Sequence, residues 1–349
     1  MFRRIIHKAA LFLCAVIVLA SQSFSSDAVV SPLPGAAVGT DSITPSVHAL
    51  QKAVRYADLL YQTAAATKIK SLRVDAKRLL FGRKGDRLEL VVFLRPSNTD
   101  RSALKFLTSD PKVATVSRNG MVRARGYGRC FITVKAGALK KKIPVQVAKK
   151  WIAITWDDGP GTYTEKLLES LDRMHVPCTF FVVGTMCCPD NHQKLLRRMR
   201  KDGHEIGNHS WAHVGTKTVI RASVKKTDTA VHDATGLGTA LLRPPGGAIN
   251  PNTKKCRKPI ILWSVDPKDW RYRNAKRVKE YILSHAYSGS IVLLHDIHKT
   301  SVQGGLDAIR ALKKEGYAFL TVSQLLGDDL KDGVTYTKGA KKVRTMKFT

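Results

Sequence analysis

From Trp151 onward, short apolar runs alternate with amphipathic segments, and this alternation constrains the fold more than any other feature of the chain. Ile152–Thr155 and Thr179–Val183 have the composition of buried strands, whereas 164–175 and 191–201 carry apolar residues at helical spacing. Repeated strand–helix units predict a parallel sheet that is closed or nearly closed on itself. Active sites of such folds collect where the strands end, so polar residues at those positions are candidates.

Two adjacent carboxylates, Asp157 and Asp158, follow the first of these apolar runs in the sequence Thr-Trp-Asp-Asp-Gly-Pro. Adjacent side chains have different surroundings, so one can bind a metal ion while the other takes up a proton. Asp-Asp-Gly-Pro is also favourable turn chemistry. This motif alone therefore leaves a turn and a catalytic site both open.

A pair of histidines, His209 and His213, stands four residues apart. On a helical turn this spacing places both imidazoles on one face. Two imidazoles and one carboxylate form a common catalytic zinc set with a position left open for water. The alternative is that they are two unrelated surface histidines.

Three later stretches also end apolar runs with polar residues: Leu242–Gly247 with Arg243, Trp263–Trp270 with Asp266 and Asp269, and Ile291–Asp296 with His295. Each could be an ordinary strand end. Because polar groups end five successive elements, chance is a poor explanation of the pattern.

The five stretches, in this order, resemble the motifs of carbohydrate esterase family 4, the polysaccharide deacetylase or NodB-homology family, over residues 150–338. The resemblance implies a distorted (β/α) barrel with fewer than eight regular units. It also implies that Asp157 is the general base. Asp158, His209 and His213 would hold a divalent metal ion, expected to be Zn²⁺.

The same resemblance assigns the remaining site residues. Arg243 would orient and charge-balance Asp157, and His295 would be the general acid. Asp266, rather than Asp269, would be the carboxylate that holds and tunes His295. The residues expected to bind substrate are Pro245, Gly246, Trp270 and Leu293, with Trp270 and Leu293 as walls of the acetyl pocket.

The chain departs from the family pattern at two places. Gly246 stands where an aromatic residue is common, which keeps the backbone N–H expected to help hold the oxyanion but removes a side-chain wall. Between Asn250 and Trp263 there is also little room for the helix usually found there.

The implied activity is metal-dependent hydrolytic removal of acetyl groups from N-acetylglucosamine units of a cell-wall polysaccharide, with peptidoglycan as the first candidate. Chitin oligosaccharides, a poly-N-acetylglucosamine and acetylxylan are alternative substrates. A second hypothesis, which involves no enzyme activity, is that the protein only binds the cell wall. The retention of polar residues in all five motifs counts against this hypothesis.

Residues 68–148 have a different character, with short β-rich runs between turn signals. The runs are Leu88–Leu94, Val113–Val116, Met121–Ala124, Cys130–Val134 and Ile143–Val147. They predict a small all-β sandwich. The stretch 108–122, with the hairpin turn Asn119-Gly120, resembles the bacterial Ig-like group 2 module. We interpret it as a spacer or a wall-binding module.

The termini carry no site candidates. Residues 1–20 have the basic and apolar regions of a signal peptide, and an uncleaved anchor is the alternative. Residues 21–67 are predicted to be a linker followed by an amphipathic spacer helix over 45–66. The basic tail, 339–349, is expected to lie on the surface or to be loose. The prediction is therefore a secreted or wall-associated protein.

The formal net charge is +32, from 59 Lys and Arg against 27 Asp and Glu, and it is spread along the chain. This charge predicts attraction to polyanions. In a secreted protein these would be anionic wall polymers or lipid headgroups rather than nucleic acid. Five cysteines follow the predicted signal, an odd number, and a bridge from Cys187 or Cys188 to Cys256 remains open.

Overall fold

A computed structural model describes residues 51, 52, 54–56, 69–97, 99, 101–213, 221–327 and 329–349. The predicted signal peptide and linker lie outside the described residues. Of the predicted spacer helix, the five described residues between 51 and 56 are helical. The chain divides into two compact units, Met1–Leu60 and Tyr61–Thr349, and the second contains everything described below.

The first part of this unit is a small β-sandwich. Its strands are β1 (Ser71–Val74), β2 (Arg78–Phe81), β3 (Arg87–Glu89), β4 (Val92–Arg95), β5 (Leu104–Thr108), β6 (Ala114–Val116), β7 (Met121–Ala124), β8 (Gly128–Ala136) and β9 (Leu139–Val147). One sheet contains β2, β9, β8 and β5, a second contains β3, β7 and β6, and β1 pairs with β4. Alternate residues such as Ile132, Val134, Ile143 and Val145 point into the shared core.

The predicted β-sandwich is confirmed, and its hairpin forms at the predicted turn. Val116 pairs with Val122 across the turn, and Gly120 has a φ of 89°, which a side chain would disfavour. The run Leu88–Leu94 is divided between β3 and β4 rather than forming one strand. Strands β1, β2 and β5 lie outside the predicted runs.

The second part contains the predicted strand–helix units. Its strands are β10 (Lys150–Asp157), β11 (Thr179–Val182), β12 (Glu205–Asn208), β13 (Ile260–Ile261), β14 (Ser290–His295), β15 (Tyr317–Leu320) and β16 (Thr335–Tyr336). Its helices are α1 (Thr164–Met174), α2 (Asp190–Lys201), α3 (Arg221–Thr235), α4 (Pro251–Lys254), α5 (Asp269–Tyr272), α6 (Ala275–His285), α7 (Lys299–Lys314) and α8 (Val322–Leu326). The region between Asn250 and Trp263 thus retains only the single-turn helix α4.

Parallel pairing closes these strands into a distorted barrel. β10 pairs with β11 and β14, β11 pairs with β12, and β15 joins the amino-terminal half of β10. Leu242 bridges from Asn208 to Ile260, and Val265 bridges to Val292. The ring therefore returns to β14 through segments too short to be regular strands, which confirms a distorted (β/α) barrel.

Strand β10 lies at the centre because its sequence is apolar on both faces. Ile152, Ile154 and Trp156 pack beneath the helices, whereas Trp151 and Ala153 belong to the cluster on the opposite side. A strand buried on both faces is typical of parallel sheets covered by helices. The same alternation carries Asp157 to the inner side at the carboxyl end of the barrel.

The carboxyl-terminal tail lies on the surface of the protein, which is one of the two predicted alternatives. Its last strand, β17 (Met346–Phe348), pairs antiparallel with β2 and adds a fifth strand to the larger sheet of the sandwich. Val343 is buried, and Lys347 forms an ion pair with Asp75 at 2.6 Å. Pairing of backbone groups with β2 explains why a polar sequence is ordered here.

The sandwich and the barrel share a contact surface that has both hydrogen bonds and apolar packing. Arg78 donates to the carbonyl oxygen of Phe319, and Arg129 and Gln146 both donate to that of Tyr317. Leu80 of β2 belongs to the same apolar cluster as Trp151 of the barrel. The sandwich is therefore packed on the barrel rather than separated from it by a spacer.

The five described cysteines, Cys130, Cys178, Cys187, Cys188 and Cys256, are all free thiols, so neither bridge to Cys256 is present. In the part of the chain that the structure describes, none of the helices has both the length and the apolar character to cross a membrane.

Candidate active site

The predicted site residues lie together at the carboxyl edge of the barrel strands. Asp157 ends β10 and is the register partner of His295, which ends β14. His209 directly follows β12, and Arg243 follows the bridge residue Leu242. The edge predicted from the strand ends is therefore the place where these side chains meet.

Three donor atoms face one another in a triangle. Asp158 Oδ1 lies 3.4 Å from His209 Nε2 and 3.3 Å from His213 Nε2, and the three atoms lie within 4.8 Å of one another. Donors at zinc-bond lengths and tetrahedral angles are about 3.3–3.4 Å apart. These spacings therefore fit one ion shared by the three side chains.

The histidines reach this triangle from a loop and not from the helical turn that their four-residue spacing would also fit. After β12 the chain is non-helical from His209 to His213, and Ser210 and His213 have φ values of 68° and 52°. Asp158 also has a positive φ, 75°. Such backbone is uncommon outside glycine and is concentrated at functional sites.

The protonation of His209 also fits a metal ion. His209 Nδ1 lies 2.6 Å from the carbonyl oxygen of Arg243, to which it can only donate, so Nε2 carries the lone pair. Burial lowers the pKa of His209 to about 3, and a metal ligand must be a neutral imidazole. Asp158 Oδ1 is buried without a hydrogen-bond partner among the described residues, as expected of an atom reserved for a cation.

Asp157 is held by a fully buried arginine. Arg243 donates to Asp157 Oδ1 at 2.7 Å and to Thr155 Oγ1 at 2.6 Å. Its other nitrogens donate to the carbonyl oxygens of Ile261 and Leu262. Burial raises the pKa of Asp157, and the charge of Arg243 opposes that rise. This arrangement leaves Asp157 Oδ2 turned toward His209 Nε2, at 3.7 Å.

The carboxylate paired with His295 is Asp269, so the assignment to Asp266 is wrong. His295 donates from Nδ1 to Asp269 Oδ1 and from its backbone N–H to Oδ2, both at 2.9 Å. Asp266 instead accepts from the backbone N–H of Lys268 within its own turn. That turn contains the left-handed Lys268, with a φ of 52°, and it brings Asp269 back to the end of β14.

The pair Asp269–His295 favours the imidazolium. Burial alone would lower the pKa of His295, but the hydrogen bond and charge of Asp269 outweigh it and raise the pKa to about 9. Burial would raise the pKa of Asp269, yet its contacts with His295 hold that pKa below the usual carboxyl range. His295 is therefore cationic at neutral pH.

The predicted substrate-side residues differ in exposure. Pro245 and Leu293 are buried, whereas Trp270 is 49% exposed. Gly246 has a φ of 62°, so a side chain there would be strained. A Cβ on Gly247 would lie 2.8 Å from the indole of Trp263. Trp263 thus packs against this turn, and the sequence prediction had not given it a role.

Two buried polar groups that sequence reasoning missed support the site loops. Asn208 accepts from the backbone N–H of Ser210 and donates to Asp228, which fixes the start of the histidine loop. Asp296 accepts from Thr164 at 2.5 Å beneath the Gly159 turn, and burial raises its pKa to about 7. Asp296 therefore bonds to Thr164, whereas His295 bonds to Asp269. Asn208 directly precedes His209 and Asp296 directly follows His295, so their places beside the motif histidines are the sequence signal that could have found them.

Comparisons with known sequences find a family match for the β-sandwich and another for the barrel. Family profiles described as polysaccharide deacetylase and bacterial Ig-like domain (group 2) match residues 145–259 and 69–147. The Listeria monocytogenes peptidoglycan-N-acetylglucosamine deacetylase PgdA is 40% identical over 202 residues, which cover 56% of this chain and 43% of that protein. The chain thus spans less than half of that relative's length.

A shorter relative is matched over most of its length. A Bacillus cereus peptidoglycan-N-acetylglucosamine deacetylase is 36% identical over 194 residues, which cover 51% of this chain and 89% of that protein.

Two solved structures share the barrel. The structure titled T48 deacetylase with substrate is 37% identical, has a TM-score of 0.51, and aligns over 54% of this chain and 96% of its own. A family 4 acetyl xylan esterase from Clostridium thermocellum, in complex with a cobalt ion, is 28% identical with a TM-score of 0.51, covering 54% of this chain and 98% of that one. With the five motifs gathered at one edge of a distorted barrel, these similarities show that the chain belongs to the polysaccharide deacetylase family and carries a group 2 Ig-like domain before its deacetylase domain.

Proposed function

We propose that this protein is a metal-dependent hydrolase that removes acetyl groups from N-acetylglucosamine units of a cell-wall polysaccharide, most directly peptidoglycan. The observation that carries the proposal is the joint geometry of a three-donor metal triangle, a buried Asp157–Arg243 pair and a cationic His295 at one edge of the barrel. Hydrolysis of an amide needs a base, an acid and a stabilised oxyanion, and each has a candidate there.

Asp158, His209 and His213 would hold the ion, which we propose to be Zn²⁺. When bound, the ion supplies Lewis-acid chemistry: it lowers the pKa of water from about 16 towards 7 and stabilises negative charge on the acetamide oxygen. The fit of the donor spacing to about 3.3–3.4 Å supports this role, and so does the neutral His209.

The chain's own residues perform the proton transfers. Asp157, oriented by Arg243, takes the proton from the water that attacks the acetamide carbon. The backbone N–H of Gly246 donates to the oxyanion. His295, held by Asp269, gives its proton to the nitrogen as the carbon–nitrogen bond breaks, so acetate and a free amine leave. Trp270 and Leu293 would form the walls around the acetyl group, and Pro245 begins the turn that contains Gly246.

The relatives support the substrate class. Those from Listeria monocytogenes and Bacillus cereus are described as peptidoglycan-N-acetylglucosamine deacetylases. Similarity to an acetyl xylan esterase keeps acetylxylan as an alternative, together with chitin oligosaccharides and poly-N-acetylglucosamine. A wall-binding protein without catalysis would not need a buried acid–base pair, so the geometry favours an enzyme.

We further propose a secreted or wall-associated location, with residues 1–20 as a cleaved signal or an anchor. The Ig-like domain would hold the enzyme on anionic wall polymers. Lys105, Lys135 and Lys140 are opposite one another across β5, β8 and β9, and all three are exposed. Like charges opposite one another destabilise a sheet. A bound polyanion would therefore reduce the repulsion among these three lysines.

Acetate release tests the function. Purified protein loaded with Zn²⁺ should release acetate from peptidoglycan and leave free glucosamine amines, and Asp157→Asn should release none while binding the metal. Release from acetylxylan alone would make the protein an esterase instead. Wall binding without any acetate would favour the non-catalytic hypothesis.

A further inference from the structure

The edge of the site beside His295 carries a group of arginines that the proposed reaction does not use. Helix α5 contains Asp269, which binds His295, and Trp270, which is expected to wall the acetyl pocket. Directly after them come Arg271, Tyr272 and Arg273, all exposed, followed by Arg277 on the first turns of α6. We call Arg271, Arg273 and Arg277 the arginine rim.

The rim is held close to the reacting groups. Arg273 Nε donates to the carbonyl oxygen of Trp270 at 2.6 Å. The ring of His298 lies 6.3 Å from that of His295, and the nearby charge of Arg273 adds to burial in lowering the pKa of His298. Arg273 therefore faces the same side of the barrel edge as His295.

Tyr272 orders the outer part of the rim. The guanidinium of Arg277 lies 3.7 Å from the centre of the Tyr272 ring, and that of Arg271 lies 5.7 Å from it. Stacking on an aromatic face restricts a long side chain without using its hydrogen-bond donors. The donors of both guanidinium groups thus remain available for a ligand.

Among the described residues, none neutralises the positive charge of the rim. In the described part of the chain no carboxylate lies within ion-pair distance of Arg271, Arg273 or Arg277. The nearby Glu280 is instead paired with Lys276 at 4.0 Å. Asp269 is buried and committed to His295. Three unpaired guanidinium groups beside a glycan site favour an anionic group on the glycan.

We propose that the arginine rim binds carboxylate groups on the sugars that flank the acetylated glucosamine, an inference that rests on the function proposed above. The preferred substrate is then an acidic glycan, such as a chain in which N-acetylglucosamine alternates with a lactyl-bearing sugar. A neutral chitin chain enters the same acetyl pocket but leaves the rim unused. The rim acts on binding and not on the bond that breaks.

Three tetrasaccharides test the rim: one of alternating N-acetylglucosamine and N-acetylmuramic acid, the same compound with its carboxyl groups converted to methylamides, and neutral chitotetraose. Binding is measured by calorimetry and acetate release by kinetics. The triple variant Arg271→Gln, Arg273→Gln and Arg277→Gln should raise KM and Kd for the acidic compound about tenfold, a factor that corresponds to 1.4 kcal/mol. KM and Kd for the other two compounds should change less than about twofold, because a single exposed charge contributes little to binding energy.

Two further variants separate recognition from folding. Arg273→Lys keeps the charge and should retain most of the preference for the acidic compound. Arg173→Gln removes an exposed arginine from the last turn of α1, at the opposite end of the barrel, and should change nothing. Equal weakening of all three compounds by the triple variant would show that the rim only supports α5 and would overturn the proposal.

Failure of the rim and failure of the proposed function give different results. In one outcome no compound releases acetate, the acidic compound still binds more tightly than its methylamide, and the triple variant abolishes this difference. The proposed reaction is then wrong, whereas the proposed role of the rim in binding stands. If wild-type protein binds the acid and its methylamide equally, the rim does not read carboxylates, whatever the activity.

Discussion

Replacing Asp269 with asparagine removes the charge that keeps His295 protonated. In the wild-type protein both oxygens of Asp269 accept from His295, and the pKa of His295 is raised to about 9. Burial acts in the opposite direction and persists in the variant, so the pKa of His295 should fall to its ordinary value of about 6.5 or below. That change of about 2.5 pH units corresponds to about 3.4 kcal/mol, or roughly 300-fold in the ratio of protonated to neutral imidazole.

The sign of the effect on activity follows from the role of His295 as an acid. Turnover needs the imidazolium, so kcat/KM of wild-type protein should fall as pH rises through about 9. In Asp269→Asn this alkaline limb should lie near pH 6.5 or lower.

The stability that the raised pKa contributes is present below about pH 6.5 and lost as pH rises through about 9, so the variant should lose stability mainly at neutral and acidic pH.

The assay is acetate release across pH 5–10 with saturating metal, together with an NMR titration of the His295 ring that needs no turnover. Asp266→Asn is the matched control, because Asp266 accepts from the backbone N–H of Lys268 and, among the described residues, makes no hydrogen bond to His295. Metal content should be unchanged in both variants. An alkaline limb that stays near pH 9 in Asp269→Asn but moves in Asp266→Asn would refute the pairing.

Three more predictions follow from the structure. His209→Ala should lose the bound metal, measured by mass spectrometry, while circular dichroism stays unchanged; His285→Ala on α6 should retain it. Deleting residues 343–349 removes buried Val343 and strand β17, so chemical denaturation should show a loss of about 2–4 kcal/mol; an unchanged unfolding free energy would refute the packed tail. Lys135→Gln with Lys140→Gln should weaken wall adhesion at low salt and have little effect at 0.5 M salt, where exposed charges are screened; equal weakening at both salt concentrations would argue against an electrostatic role.

The position of the site could be predicted because it depends on local patterns. Apolar runs that end in polar residues mark strand ends, and parallel strands bring those ends to one edge. Asp157, Asp158, Arg243 and His295 could therefore be assigned to that edge from their places after such runs, and the structure brings them together there.

The pairing within the site could not be predicted in the same way. Whether Asp266 or Asp269 meets His295 depends on the left-handed turn at Lys268, and no short pattern specifies that backbone. The loop from His209 to His213 resembles a helical turn in spacing alone, whereas its shape depends on positive φ values and on the buried Asn208. Long-range contacts override local propensity at both places.

The carboxyl-terminal strand illustrates a different limit. Residues 339–349 are polar and basic, without the alternation that predicts a strand, and β17 has only three residues. Its order comes from backbone pairing with β2, which is more than 260 residues earlier in the chain. Three-residue strands carry too little side-chain pattern to be recognised without their partner.

The central claim is that Asp158, His209 and His213 hold a metal ion which, with Asp157, drives N-deacetylation of a wall glycan. The most direct measurement is acetate released per bound metal from purified peptidoglycan, for wild-type protein, Asp157→Asn and His213→Ala. We predict release by wild-type protein, none by Asp157→Asn with its metal retained, and none by His213→Ala with its metal lost. Acetate release that persists in metal-free His213→Ala would contradict the account.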